Sequence, residues 1–123
     1  MSELRRGSCH CGAVEFQVEL TEGLVNLRRC NCSLCRRKGA IMGMVPASMF
    51  TLLKGEANLT LYQWNTKVAR HYFCSTCGIY THHARRADPT QFGFNVACLE
   101  DVDPFALENV GLVDGAALSR IDD

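Results

Sequence analysis

Eight cysteines in a chain of 123 residues are the groups most able to do chemistry here. Seven fall in three tight groups, Cys9-x-Cys11, Cys30-x-Cys32-x-x-Cys35 and Cys74-x-x-Cys77, and Cys98 stands alone in an apolar run. Such short spacings suit a metal, because one turn of chain delivers two thiolates to one ion. In a reducing compartment they would not be a disulfide framework. Gly12 follows the first pair and Gly78 follows the last. A glycine directly after a ligand permits the sharp turn that aims backbone N–H groups at the sulfurs. Cys9, Cys11, Cys74 and Cys77 are therefore assigned to one closed, structural zinc site, which would contribute on the order of 10 kcal/mol to folding.

The middle group differs. Its last cysteine is followed by Arg36, Arg37 and Lys38, its first is preceded by Arg28 and Arg29, and no Asp or Glu occurs from Gly23 to Gly55. Three protein thiolates without an assigned fourth ligand is the pattern of a catalytic zinc. Cations around it would favour ionised thiols and draw in an anionic ligand. Cys30, Cys32 and Cys35 are thus the candidate catalytic residues and the ligands of a second zinc, which could be partly occupied. Arg36, Arg37 and Lys38 are the candidate substrate-binding residues. Blander readings stand beside these. Cys98 or a histidine could complete the triple as a second structural site, and the arginines could be a solvated face. His71 could be structural, and His82 and His83 would point to opposite faces of a strand, so that at most one enters a site.

These groups need a scaffold that joins distant parts of the chain. Val14, Phe16, Val18 and Leu20 alternate with polar residues, which is the pattern of a half-buried strand. Further strands are expected over Leu24 to Arg29, Ala40 to Val45, Ile79 to Ala84 and Phe92 to Leu99. A hairpin is expected from Leu59 to Trp64 and Val68 to Phe73 around Asn65-Thr66-Lys67. Pro46 to Phe50 reads as a turn or one helical turn, and Asp103-Pro104 as the start of a short helix. The sum is a mostly β fold in a single domain over residues 1–123, with the tail after about residue 110 loosely attached. Acidic and basic residues balance at 13 each, which gives no support to a general nucleic-acid binder or a polybasic membrane anchor. No apolar run is long enough to span a bilayer, and Met1-Ser-Glu-Leu-Arg-Arg lacks the apolar stretch of a secretory leader, so a cytoplasmic protein is expected.

With these residues in place, the chain resembles a known family. Gly7-Ser-Cys-His-Cys-Gly12, Cys30-Asn-Cys-Ser-Leu-Cys-Arg36 and Phe73-Cys-Ser-Thr-Cys-Gly78 look like the signature of the glutathione-dependent formaldehyde-activating enzymes. Val45-Pro-Ala-Ser, Leu53-Lys-Gly, Asn65-Thr-Lys and His71-Tyr-Phe-Cys look closer to the centromere protein V branch of that family. The resemblance implies an Mss4-like fold of several coiled, mostly antiparallel sheets with zinc knuckles. It implies a structural zinc at positions matching Cys9, Cys11, Cys74 and Cys77, and a catalytic zinc at those matching Cys30, Cys32 and Cys35. It implies a carbon–sulfur lyase reaction, run in reverse as addition of glutathione to formaldehyde. Asn31 stands where many members carry His, and the chain is shorter than the formaldehyde enzyme.

The expected function is a zinc-dependent lyase acting on an aldehyde adduct of glutathione or a related thiol. Tyr80, His82 and His71 are candidate general acids by chemistry alone. The rival is a zinc-stabilised binding module without catalysis, since fold does not fix function. Nucleic-acid binding ranks last, because no aromatic residue is interleaved with the basic ones between Arg28 and Lys38.

Overall fold

A computed structural model of the protein describes residues 2–64, 67–85, 88 and 90–113. The strands are β1 (Glu3–Ser8), β2 (Glu15–Leu20), β3 (Arg28–Cys30), β4 (Met42–Pro46), β5 (Phe50–Lys54), β6 (Leu59–Tyr62), β7 (Arg70–Cys74), β8 (Tyr80–Ala84), β9 (Gln91–Asn95) and β10 (Gly111–Val113). A one-turn helix, α1 (Cys35–Lys38), follows β3. The fold is mostly β, in two sheets. One has the order β1-β2-β5 and the other β10-β3-β4-β9-β8-β7-β6. Among the described pairs, only β10 with β3 is parallel. No helix among the described residues is long and apolar enough to cross a membrane.

The alternation in β2 does what its period requires. Phe16, Val18 and Leu20 are buried, and their neighbours are only partly covered. They meet Val45 of β4 and Phe94 of β9 in one core, so the two sheets close on each other through these residues. The Phe16 ring stacks on Phe50 of β5 with centroids 5.3 Å apart.

Several boundaries depart from expectation. Leu24 to Arg29 yields a strand only from Arg28, because Asn26 adopts φ 56, a left-handed turn that ends extended chain. β1 and β5 have no counterpart in the expected strands. Both lack a clear alternation: β1 carries polar residues and ties to its partner through an Arg6–Glu15 ion pair of 2.8 Å, and β5 pairs β2 across a register shift. Pro46 to Phe50 does hold one helical turn, of the 3-10 type, at Ala47–Met49. Beyond Asn95 the expected strand becomes a 3-10 turn, Val96–Cys98, whose first N–H groups are capped by the Asn95 side chain. Asp103 caps a further 3-10 turn at Pro104–Ala106.

β6 and β7 pair antiparallel in register from Leu59↔Cys74 to Tyr62↔His71, as a hairpin requires. Asn65 and Thr66 of its connection lie outside the described residues. At the start of the expected loose tail, Gly111–Val113 pairs in parallel with β3 as β10. Residues 114–123 lie outside the described residues.

Candidate metal centres

The first centre is assembled by two chain reversals. Cys9 and Cys11 sit in the turn between β1 and β2, and Cys74 ends β7 with Cys77 in the turn after it. All four sulfurs lie within 4.8 Å of one another, with Cys9–Cys11 and Cys11–Cys74 separations of 3.7 Å. A tetrahedron with zinc–sulfur bonds of about 2.3 Å has edges of about 3.8 Å, so the donor set fits zinc in type, number and spacing. Gly12 and Gly78 have φ of 82 and 79, the left-handed conformation that each reversal needs. Neither is there for want of room, since a Cβ at either would touch nothing within 4 Å.

Hydrogen bonds to sulfur hold the thiolates in place. The Val14 N–H donates to Cys9 Sγ at 3.3 Å and the Cys77 N–H to Cys74 Sγ at 3.5 Å. Asn58 donates its side-chain N–H to Cys74 Sγ at 3.3 Å, and its other partner is Thr76. Desolvation opposes ionisation of Cys77, but the backbone N–H groups of Cys11 and Ile79 and the neighbouring thiols outweigh it and bring its pKa down to about 6. Asn58 went unnoticed in sequence, because a lone Asn before a strand carries no motif.

The second centre is local. Cys30 ends β3, Cys35 begins α1, and Cys32 lies in the loop between; their sulfurs again fall within 4.8 Å of one another. The Cys35 N–H donates to Cys32 Sγ at 3.3 Å. Among the described residues no fourth ligand joins this group. Cys98 does not complete it, for its thiol sits 3.7 Å from the carbonyl of Tyr80. Three thiolates suit zinc with one position open. At Cys30 and Cys35 burial works against the expectation that basic surroundings keep the thiols ionised. Burial pushes Cys30 and Cys35 up, and although the Lys38 ammonium pulls Cys35 back, burial prevails. A metal cation at the cluster would supply what the side chains do not.

The three cations after Cys35 diverge, because successive residues on one helical turn point in different directions. Arg36 is exposed and lines a cleft of about 150 Å³ with Arg29, Cys30, Asn31 and Cys35. Arg37 faces another side, with its guanidinium donating to the Ser33 carbonyl at 2.6 Å. Lys38 turns inward, its Nζ 3.8 Å from the centroid of the Tyr80 ring. Burial lowers its pKa, and the three cluster thiols act in the opposite sense.

Tyr80 belongs to the same packed group as Cys32, Cys35 and Met42. Its hydroxyl lies 2.6 Å from His83 Nδ1, and His83 stacks on His71 at 5.3 Å. Of the candidate general acids, His71 and Tyr80 therefore share a face near the second centre. His82 does not: it packs among Phe50, Tyr72 and Phe92 on the opposite face. Cys30 and Cys35 also border a small cleft of about 30 Å³ with Arg28, His83 and Arg85.

A profile described as glutathione-dependent formaldehyde-activating enzyme matches residues 4–110. A protein of Emericella nidulans, provisionally named a glutathione-dependent formaldehyde-activating enzyme, is 30% identical over 78 residues, covering 60% of this chain and 39% of that protein. A protein of Halomonas elongata with the same provisional name is 32% identical over 82 residues, covering 60% of this chain and 52% of that one. The matched segments thus span about half or less of those curated relatives. A crystal structure of a Rhodobacter sphaeroides protein, from structural genomics, superposes with a TM-score of 0.84 at 53% identity, covering 88% of this chain and 99% of that one. The chain belongs to the glutathione-dependent formaldehyde-activating enzyme family.

Proposed function

We propose that the protein is a zinc-dependent enzyme of carbon–sulfur lyase type. It forms and cleaves the adduct between an aldehyde and a thiol, either glutathione or a relative of it. The observation that carries this reading is the three-thiolate centre, which has no fourth described ligand and borders clefts rimmed by arginine. Names of the relatives support glutathione as the thiol. The motif run from Val45-Pro-Ala-Ser to His71-Tyr-Phe-Cys supports a place in the centromere protein V-like branch.

Cys30, Cys32 and Cys35 would hold zinc. A zinc so held would offer one position to an incoming thiol and lower its pKa. Arg36 and Arg29, beside Cys30 and Cys35, would bind the thiol's carboxylates, and Arg28 and Arg85 line the smaller cleft on the same cysteines. The thiol gives its proton to solvent; on addition a lone pair of the resulting thiolate forms the S–C bond and the carbonyl π pair moves to oxygen. That oxygen then takes a proton from Lys38 or from water. Cleavage reverses each transfer.

The test is NMR exchange spectroscopy on glutathione mixed with labelled formaldehyde, with and without zinc-loaded protein. Faster interconversion of adduct and free aldehyde, absent in Cys32→Ser and reduced in Arg36→Glu at low salt, is the expected result. No acceleration over buffer at any protein concentration would leave the binding module as the better account.

A further inference from the structure

The largest apolar cleft near the second centre is not one of the two that the cysteines border. It measures about 320 Å³, within the range of small-molecule sites, and its lining includes Leu34, Lys38, Tyr62, His71, Phe73 and Tyr80. Lys38 and Tyr80 are shared between this cleft and the metal-ligand cluster: Tyr80 packs with Cys32 and Cys35, and the Lys38 ammonium acts electrostatically on all three thiols. The Lys38 Nζ atom is buried and has no hydrogen-bond partner among the described residues. Tyr80 gives it a ring face and the thiols give it charge, but nothing accepts its protons. A buried donor in that state carries an uncompensated desolvation cost, larger when it is charged. A cleft that ends on such a donor is built to receive an oxygen atom.

The remaining surface of the cleft says what carries that oxygen. Formaldehyde has no body to fill aromatic walls. A second carboxylate is poorly matched, because the walls other than Lys38 offer mostly ring faces and aliphatic surface. We propose that this cleft binds the carbonyl partner of the reaction, and that this partner is an aldehyde with an aromatic or branched apolar body. Its oxygen accepts from Lys38 Nζ and its body lies against Tyr62 and Phe73. The two substrates then approach from different sides, the anionic thiol from the arginine-lined clefts and the apolar carbonyl from this one. Which reaction the cleft serves rests on the lyase reading; that it binds an apolar carbonyl compound does not.

Benzamide is the probe, because it keeps the ring and the carbonyl oxygen but does not react with thiols or amines. Acetamide is its control without the body. Both are titrated into zinc-loaded, isotope-labelled protein, and backbone amide shifts are followed by NMR. Saturable shifts at Tyr62, Tyr72, Phe73 and Gly78 with benzamide, and none with acetamide up to the same concentration, are expected. Lys38→Met should weaken benzamide binding at least fivefold. Tyr62→Ala, at a half-exposed position on the edge strand β6, should do the same and guards against a misfolded Lys38 variant. Equal shifts with both probes, or shifts confined to other residues, would overturn the proposal. Exchange measurements with benzaldehyde and with formaldehyde then separate the two claims. Benzamide binding without acceleration of either adduct removes the lyase reading and leaves the cleft assignment. Acceleration with formaldehyde in a protein that ignores benzamide removes the cleft assignment and leaves the lyase.

Discussion

The Tyr80 hydroxyl lies 2.6 Å from His83 Nδ1, although residues three apart on a regular strand face opposite ways. The pairing of β7 with β8 explains it. His71 opposes His83 and Tyr72 opposes His82, but Phe73 opposes Tyr80, so Thr81 is an extra residue. This bulge re-aims the chain and puts Tyr80, His83 and His71 on one side, with His82 and Tyr72 on the other. The polar face beside the second centre thus depends on one inserted residue.

That face also depends on the next strand. Gly93 of β9 pairs with His83, and a Cβ there would collide with the imidazole ring. Gly93→Ala should therefore displace His83 and lower stability by about 1–3 kcal/mol, the usual cost of overpacking. The first centre, whose four sulfurs come from the β1–β2 and β7–β8 turns, should keep its metal. Thermal melting with metal analysis per chain checks this. An unchanged melting temperature would mean that the His83 ring has room to move.

The four-cysteine centre was legible in sequence because its information is local. Each glycine directly follows a ligand pair, and its need for positive φ is set by the turn itself. β2 was legible for the same reason, since its alternation is written along one strand. The bulge at Thr81 was not, because register is a property of two strands and Thr81 is an ordinary strand residue. Nor was the separation of Arg36, Arg37 and Lys38: adjacent in sequence, they read as one patch until a helical turn fans them out.

Asn58 offers a sharper test of the first centre. Its amide donates to Cys74 Sγ and orients a ligand without binding metal itself. Outer contacts of this kind are worth roughly 10–100-fold in metal affinity. Asn58→Ala should keep the fold but surrender zinc to a chelator at least tenfold more readily. Equal retention by variant and wild type in a competition titration would show that the backbone N–H groups suffice.

The two centres should differ in what their loss does. Cys77→Ser removes a ligand from a site that ties the β1–β2 turn to the β7–β8 turn, so the chain should unfold or precipitate. Cys32→Ser removes a ligand from a site contained within Cys30 to Cys35, so circular dichroism should be retained while one zinc per chain is lost. If Cys32→Ser unfolds as completely as Cys77→Ser, the second centre is structural.

Burial of His82 should weaken the fold in acid. The side chain is packed against Phe50, Tyr72 and Phe92, with the Thr81 hydroxyl at 2.9 Å as its one polar partner among the described residues. Burial lowers its pKa to about 4. In the unfolded chain it would titrate near the ordinary value of about 6.5. Between those two values the unfolded state binds a proton that the folded state refuses, so stability falls as pH falls, and the fall is complete once pH drops below about 4. A difference of roughly 2.5 units corresponds to about 3 kcal/mol. Thiolate protonation and loss of zinc act in the same direction, so wild type alone cannot isolate the effect. His82→Phe keeps the ring contacts and every cysteine, and the metal contribution cancels in the comparison. The melting temperature of the variant relative to wild type should be constant above pH 7 and rise steadily from pH 6.5 to pH 4. A difference that stays flat across that window would show that His82 is protonated within the fold, with a counter-charge or water reaching it.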